Sequence, residues 1–168
     1  MIESLQLVLT QLGPFAAAGI YCFFGGLIPM LNTEVFVGVL GGVVGGDYAQ
    51  IGLVALSAGV GRMIGKTVLY FSVQKGIKLG FGKKRKANEN LRKWHDKIEK
   101  LPHYKTYTLT FSASAIGFPP MYLLTLAFGI LKISWGPHFW IGILGSTFKY
   151  GFFFVFGGEI SKYIKTIF

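Results

Sequence analysis

Glu34 is the residue of this chain with the most chemistry to account for. It follows Pro29-Met30-Leu31-Asn32-Thr33 and stands between two uncharged stretches, Ser4–Thr33 and Val35–Gly46. A carboxylate in apolar surroundings is retained for a purpose: to exchange a proton, to hold a cation, or to pair with a basic side chain. Arg62 and Lys66 lie one helical turn apart, with Tyr70 one turn further on the same face. On a helix that begins at Tyr48, Arg62 falls about 21 Å along the axis and Lys66 about 27 Å. An unpaired arginine near the middle of a membrane costs about 2.5–3.5 kcal/mol, so Arg62 is expected to face a cavity or to meet Glu34 or Asp47. Lys66 is close enough to the basic stretch beyond residue 74 for its ammonium to snorkel toward water. Lys149 interrupts the last apolar run and faces the same choice as Arg62. Asp47 reads as a site residue that could meet Arg62 or as a solvated cap at an interface ahead of the span. Pro29, Asn32, Pro119 and Pro120 mark the turns that would bring such groups together.

Other patterns carry no site. Gly65-Lys66-Thr67 looks like the end of a phosphate-binding loop, but that loop needs glycine at position 60, which is Val60. His95, His103 and His138 lack metal-ligand spacing, and the single cysteine, Cys22, excludes an internal disulfide or a cysteine-based metal centre. No Gly-x-Ser-x-Gly occurs, and Ser112 and Ser114 read as packing residues. No metal, cofactor or covalent step is called for, so the expectation is a protein that is not an enzyme.

The elements that must position these groups follow from composition. Of 168 residues 52% are hydrophobic and 14% charged, where soluble domains carry about 25% charged residues. With a mean hydropathy of +0.52 this reads as a membrane protein of one domain. The net charge of +10 could indicate nucleic acid, but the stretch 75–105 holds eleven Lys and Arg against three Asp and Glu, +8 of that total. The charge is a loop property, and the positive-inside rule makes the loop cytoplasmic. Leu91, Trp94, Ile98 and Leu101 share one face there, as on an amphipathic helix lying on the membrane, whose cations could recruit anionic lipid. The N-terminal Met-Ile-Glu-Ser lacks the Lys or Arg of a signal peptide, so the first segment is read as mature structure.

Not every apolar run is long enough to span. Val35–Gly46 has twelve residues and reaches about 18 Å of the roughly 30 Å required. Thr106–Leu131 is broken by Gly117-Phe118-Pro119-Pro120. Both are expected to enter and return as re-entrant hairpins, because broken backbone at membrane depth must be buried in protein or line a wet cavity. Gly26, Pro29 and Met30 recur as Gly117, Pro120 and Met121, and Gly38 as Gly129, at an offset of 120 − 29 = 91. The fold class is therefore an all-α integral membrane protein with two opposed re-entrant hairpins, an inverted repeat, each followed by a transmembrane helix. Its divisions are 1–47 for a first helix and hairpin, 48–74 for a span, 75–105 for the basic linker, 106–134 for the second hairpin, 135–158 for a span and 159–168 for a tail. Gly41/Gly45, Gly42/Gly46 and Gly61/Gly65 are spaced for close helix packing and leave a homo-oligomer open.

The proline-led hairpin with its acid, the glycine-rich exit Gly38–Gly46, the cations Arg62 to Lys75, the hairpin Gly117-Phe-Pro-Pro-Met-Tyr122 and the closing Gly145-Ser-Thr-Phe-Lys149-Tyr150 resemble the DedA, or SNARE-associated (VTT), membrane proteins over roughly Leu12 to Gly158. The resemblance implies translocation or scrambling of a phosphate-bearing lipid, undecaprenyl phosphate or phospholipid, with protons coupled through membrane-embedded acids. Glu34 matches the family's hairpin acid and Asp47 a second one. Where many members carry arginines around the second hairpin's proline, this chain has apolar residues near Ala115 and Met121, which shifts headgroup recognition to Arg62, Lys66 and Lys149. A bacterial inner membrane is the implied location. Two rival readings stand beside this one: a structural or assembly protein whose hairpins shape the bilayer, and a proton-coupled exporter of small cations that uses Glu34.

Overall fold

The computed structural model describes residues 2–44, 48–79 and 102–167, with side chains over 13–41, 48–75 and 102–156. Asp47 and the amphipathic face expected in the linker lie outside the described residues. Within them the chain is all-helical: α1 (Ile2–Leu27), α2 (Thr33–Val44), α3 (Tyr48–Leu79), α4 (His103–Ala115), α5 (Met121–Leu131) and α6 (Trp135–Ile167).

Two of these helices are long and apolar enough to cross a membrane, over Tyr48–Lys75 in α3 and Trp135–Phe156 in α6. Both helices outrun the expected divisions, and α6 continues through the expected tail to Ile167 without a break. The other elements are short. Gly13, at φ 72 and ψ 159, breaks α1 just before Pro14, so its apolar arm is Gly13–Leu27. A residue ahead of proline is pushed out of the helical region, while proline itself suits a first turn. That arm measures about 22 Å, and α2, α4 and α5 about 16–20 Å, all below the thickness of a bilayer core.

The short arms come in two pairs, α1 with α2 and α4 with α5, each joined by a proline-bearing turn. The arms of a pair barely touch one another. Instead α1 lies on α3 and α4 on α6, while α2 crosses to α6 and α5 to α3; α3 and α6 pack together in the centre. Exchanging the first three helices for the last three leaves this pattern unchanged. The core divides accordingly. Cys22, Val37, Leu40, Val54 and Phe154 gather around the first pair, and Met63, Ala113, Met121, Phe128 and Ile143 around the second.

The seam between α1 and α3 is built from glycine. A Cβ on Gly61 would overlap the Gly19 carbonyl, one on Gly65 the Phe23 carbonyl, and one on Gly26 would stand 3.1 Å from Gly65 Cα. The pair Gly61/Gly65 thus brings two backbones of one chain together. Gly61→Leu should force the helices apart, at a cost of about 1–3 kcal/mol or more, and lower the melting temperature in detergent. An unchanged melt would show that the seam is not where the stability lies.

The outer surface is apolar. Along α6 Trp140, Leu144, Phe148, Phe152 and Phe156 recur every fourth residue, and each is more than half exposed. A ridge of that kind needs a cover, and hydrocarbon is the one that suits a helix of this length.

Candidate functional site

The first turn ends in a capped helix. Asn32 stands before α2, and its side-chain oxygen accepts from the Val35 N–H at 3.2 Å, satisfying a donor that the helix start leaves free. Thr33 and Glu34 occupy the first turn of α2, where the helix dipole favours a negative charge. One Glu34 oxygen accepts from the Thr33 hydroxyl at 3.3 Å, and the other is held by the ammonium of Lys149 from α6.

The second turn closes over the same lysine. Ile116 and Gly117 both donate their N–H to the Ser112 carbonyl, at 2.9 and 3.2 Å, and the Ser112 hydroxyl donates to the Phe118 carbonyl at 3.0 Å. Gly117 adopts φ +92, a conformation in which any other residue is strained. A Cβ built on it would lie 3.7 Å from Lys149 Nζ, so Lys149 stands between the two tips. Pro119 and Pro120 carry the chain into α5, with Pro120 as its N-terminal cap residue. Pro29 lies in the first turn beside Met30, which is 93% exposed.

Arg62 reaches this cluster from α3. Its Nη1 donates to the Tyr150 hydroxyl at 3.2 Å, and that hydroxyl donates to Thr33 Oγ1 at 3.1 Å. A continuous line of hydrogen bonds then runs Arg62, Tyr150, Thr33, Glu34, Lys149, with the carboxylate accepting from both sides. The Nε of Arg62 is buried without a partner, as are the hydroxyls of Ser146 and Thr147. Lys66, one turn past Arg62, is 2% exposed, and its ammonium sits over the Tyr122 ring, 4.7 Å from the centroid. It does not snorkel: Tyr122 and the neighbouring helices enclose it.

Four of the residues singled out in the sequence are therefore brought together, Glu34, Arg62, Lys66 and Lys149, and the turns holding Pro29, Asn32, Pro119 and Pro120 do the bringing. The pairing differs from the expected one. Glu34 meets Lys149, and Arg62 meets a tyrosine. Thr33, Tyr122 and Tyr150 join the cluster although nothing in the sequence separated them from other polar residues of apolar helices. Tyr150 is wholly buried, and only the helical spacing that places it next to Lys149 hints at its role.

The halves also match in detail. Arg62 lies fourteen residues past Tyr48 and Lys149 fourteen past Trp135, about 21 Å along either long helix. The second residue of α2, Glu34, meets a lysine of α6, and the second residue of α5, Tyr122, meets a lysine of α3. The cluster holds three cations, Arg62, Lys66 and Lys149, against Glu34, the one carboxylate among the described side chains, which leaves 3 − 1 = +2 for the cluster. In a region of low dielectric such an excess attracts an anion strongly. Against known proteins, no family model, no curated protein and no solved structure matches this chain.

Proposed function

We propose that this chain is an integral membrane transporter of the DedA type that moves a phosphate-bearing lipid between leaflets, with Glu34 as its proton-exchanging group. One observation carries the reading: three cations and one acid are gathered near the two helix-pair tips, Arg62 and Lys149 about 21 Å along the long helices and Lys66 one turn further, in the interior a bilayer would enclose. Charge at that depth is expensive and marks a pathway. Its positive sign favours an anionic headgroup and opposes export of a cation, which the cluster would repel. A protein that only shaped the bilayer would have no use for it.

The short arms support re-entrant hairpins, since none reaches across a bilayer core. The crossed packing of arms on α3 and α6 supports an inverted repeat, with the hairpins entering from opposite faces because one span separates them. In this reading a headgroup crosses at the tips while its chains stay in lipid beside the aromatic ridge of α6. The linker 75–105 faces the cytoplasm of a bacterial inner membrane.

Reconstitution into liposomes with a headgroup-accessibility assay tests the proposal. Proteoliposomes should expose inner-leaflet phosphate-lipid headgroups faster than protein-free vesicles, and the double variant Arg62→Gln/Lys66→Gln should return to the protein-free rate. Parent protein indistinguishable from empty vesicles sinks the transporter reading.

A further inference from the structure

Among the buried charges of the described residues, Lys66 is the least compensated. Its side chain is almost wholly buried, yet no hydrogen-bond acceptor or carboxylate among the described residues reaches its ammonium, which has only the face of Tyr122. A cation–π contact offsets a small part of what it costs to desolvate an ammonium. One turn away on the same helix, the Nε–H of Arg62 is also buried without an acceptor, its Nη1 being spent on Tyr150. The Thr147 hydroxyl, likewise unpartnered, faces α3 at Gly59. Lys149 is in the opposite condition, since Glu34 already supplies its counter-charge. The +2 of the cluster is therefore not spread over it. It resides on Arg62 and Lys66.

We propose that Arg62 and Lys66, floored by the Tyr122 ring, form the subsite that takes the phosphate group, and that the Lys149–Glu34 pair binds no ligand but fastens the first hairpin to α6. Two uncompensated cations match an oxyanion with close to two negative charges, the charge of a phosphate monoester or of inorganic phosphate. A phosphodiester, with one charge, leaves one cation stranded. The subsite rests on the transporter reading for its place in a transport cycle, though not for its ability to bind.

The test uses the full chain in nanodiscs of phosphatidylcholine, titrated with inorganic phosphate by calorimetry. Lys66→Gln and Arg62→Gln should each weaken phosphate binding about ten- to a hundred-fold, the range for losing a hydrogen bond to a charged group. Tyr122→Leu should weaken it and Tyr122→Phe should not. The double variant Glu34→Gln/Lys149→Gln should bind phosphate nearly as the parent does. Folding does not confound the first variant, because Lys66→Gln removes a stranded charge and its melting temperature should hold or rise. Phosphate binding that survives Lys66→Gln and Arg62→Gln but is lost in the double variant places the anion on Lys149 and overturns the subsite, whatever the transport assay shows. Nanodiscs doped with phosphatidic acid, a monoester, should compete with free phosphate, and those doped with phosphatidylglycerol, a diester, should compete less. Phosphate binding at Lys66 without any competition from phosphatidic acid keeps the subsite and sinks the lipid reading.

Discussion

Glu34→Gln should lower the melting temperature and stop translocation, and a second change, Lys149→Gln, should restore most of the stability while leaving transport dead. The side chains of Lys149 and Glu34 are 11% and 29% exposed, so the pair is largely withdrawn from water. Glutamine keeps the size of Glu34 and its bond with Thr33, but it leaves the Lys149 ammonium between the two proline-bearing turns with no counter-charge. Removing one partner of a buried pair typically costs about 3–5 kcal/mol, and the partial exposure of Glu34 places this case at about 3 kcal/mol. Removing both returns a neutral, hydrogen-bonding contact. The coupling between the two changes should therefore be large and of opposite sign to their separate effects. Thermal melts of the two single variants and the double measure it. Additive losses would mean that the ion pair does not hold α2 to α6.

How far this was legible in the sequence depended on the kind of signal. Charges in uncharged runs are conspicuous, so Glu34, Arg62, Lys66 and Lys149 could be chosen one by one. Prolines and glycines break helices for local reasons, so both turns and the arms α2, α4 and α5 could be placed within a few residues, whereas the first arm's start at Gly13 lies inside the uncharged run Ser4–Thr33 with no charge to mark it. Partners could not, because they depend on which face of α2 meets which long helix. An offset of 91 aligns Pro29 with Pro120, but it sets Arg62 opposite Phe153 and Glu34 opposite Thr125. The helices show why: α2 begins four residues after Pro29 and α5 one residue after Pro120, so the offset falls to 121 − 33 = 88 at the second arms and 135 − 48 = 87 at the long helices. At those offsets Glu34 stands opposite Tyr122 and Arg62 opposite Lys149. The two turns are equally long, 28–32 and 116–120, but the aligned proline stands second in the first and last in the second, so aligning the prolines hid the correspondence that matters most for the site. Lys66 was misplaced for a different reason. Snorkelling treats a lysine as alone on its helix, and Tyr122 from α5 closes over this one.

The burial of Lys66 alters what is expected of Arg62. If Lys66 reached water, Arg62 would be the only deep cation on α3 and would dominate transport. Enclosed together, the two should matter comparably, so Arg62→Leu and Lys66→Leu should each slow headgroup translocation about ten-fold or more at matched reconstitution. The sharper expectation concerns Arg62→Lys. A guanidinium can donate in two directions at once, and here Nη1 is turned to Tyr150 while Nε stays free in the buried interior. Lysine carries the same charge as a single compact ammonium without that fork. It can hold Tyr150 or meet an anion beside Lys66, but its geometry does not serve both. If it stays with Tyr150, the line to Thr33 and Glu34 survives and the fold is kept, while the headgroup loses a donor. If it turns away, the Tyr150 hydroxyl loses a charged donor and stability falls by about 1.5–3 kcal/mol. Either way Arg62→Lys should transport far closer to Arg62→Leu than to the parent, and its melting temperature tells which branch is taken. Parent-like transport by Arg62→Lys would mean that charge alone suffices at this position and that the buried Nε–H has no part in recognising the ligand.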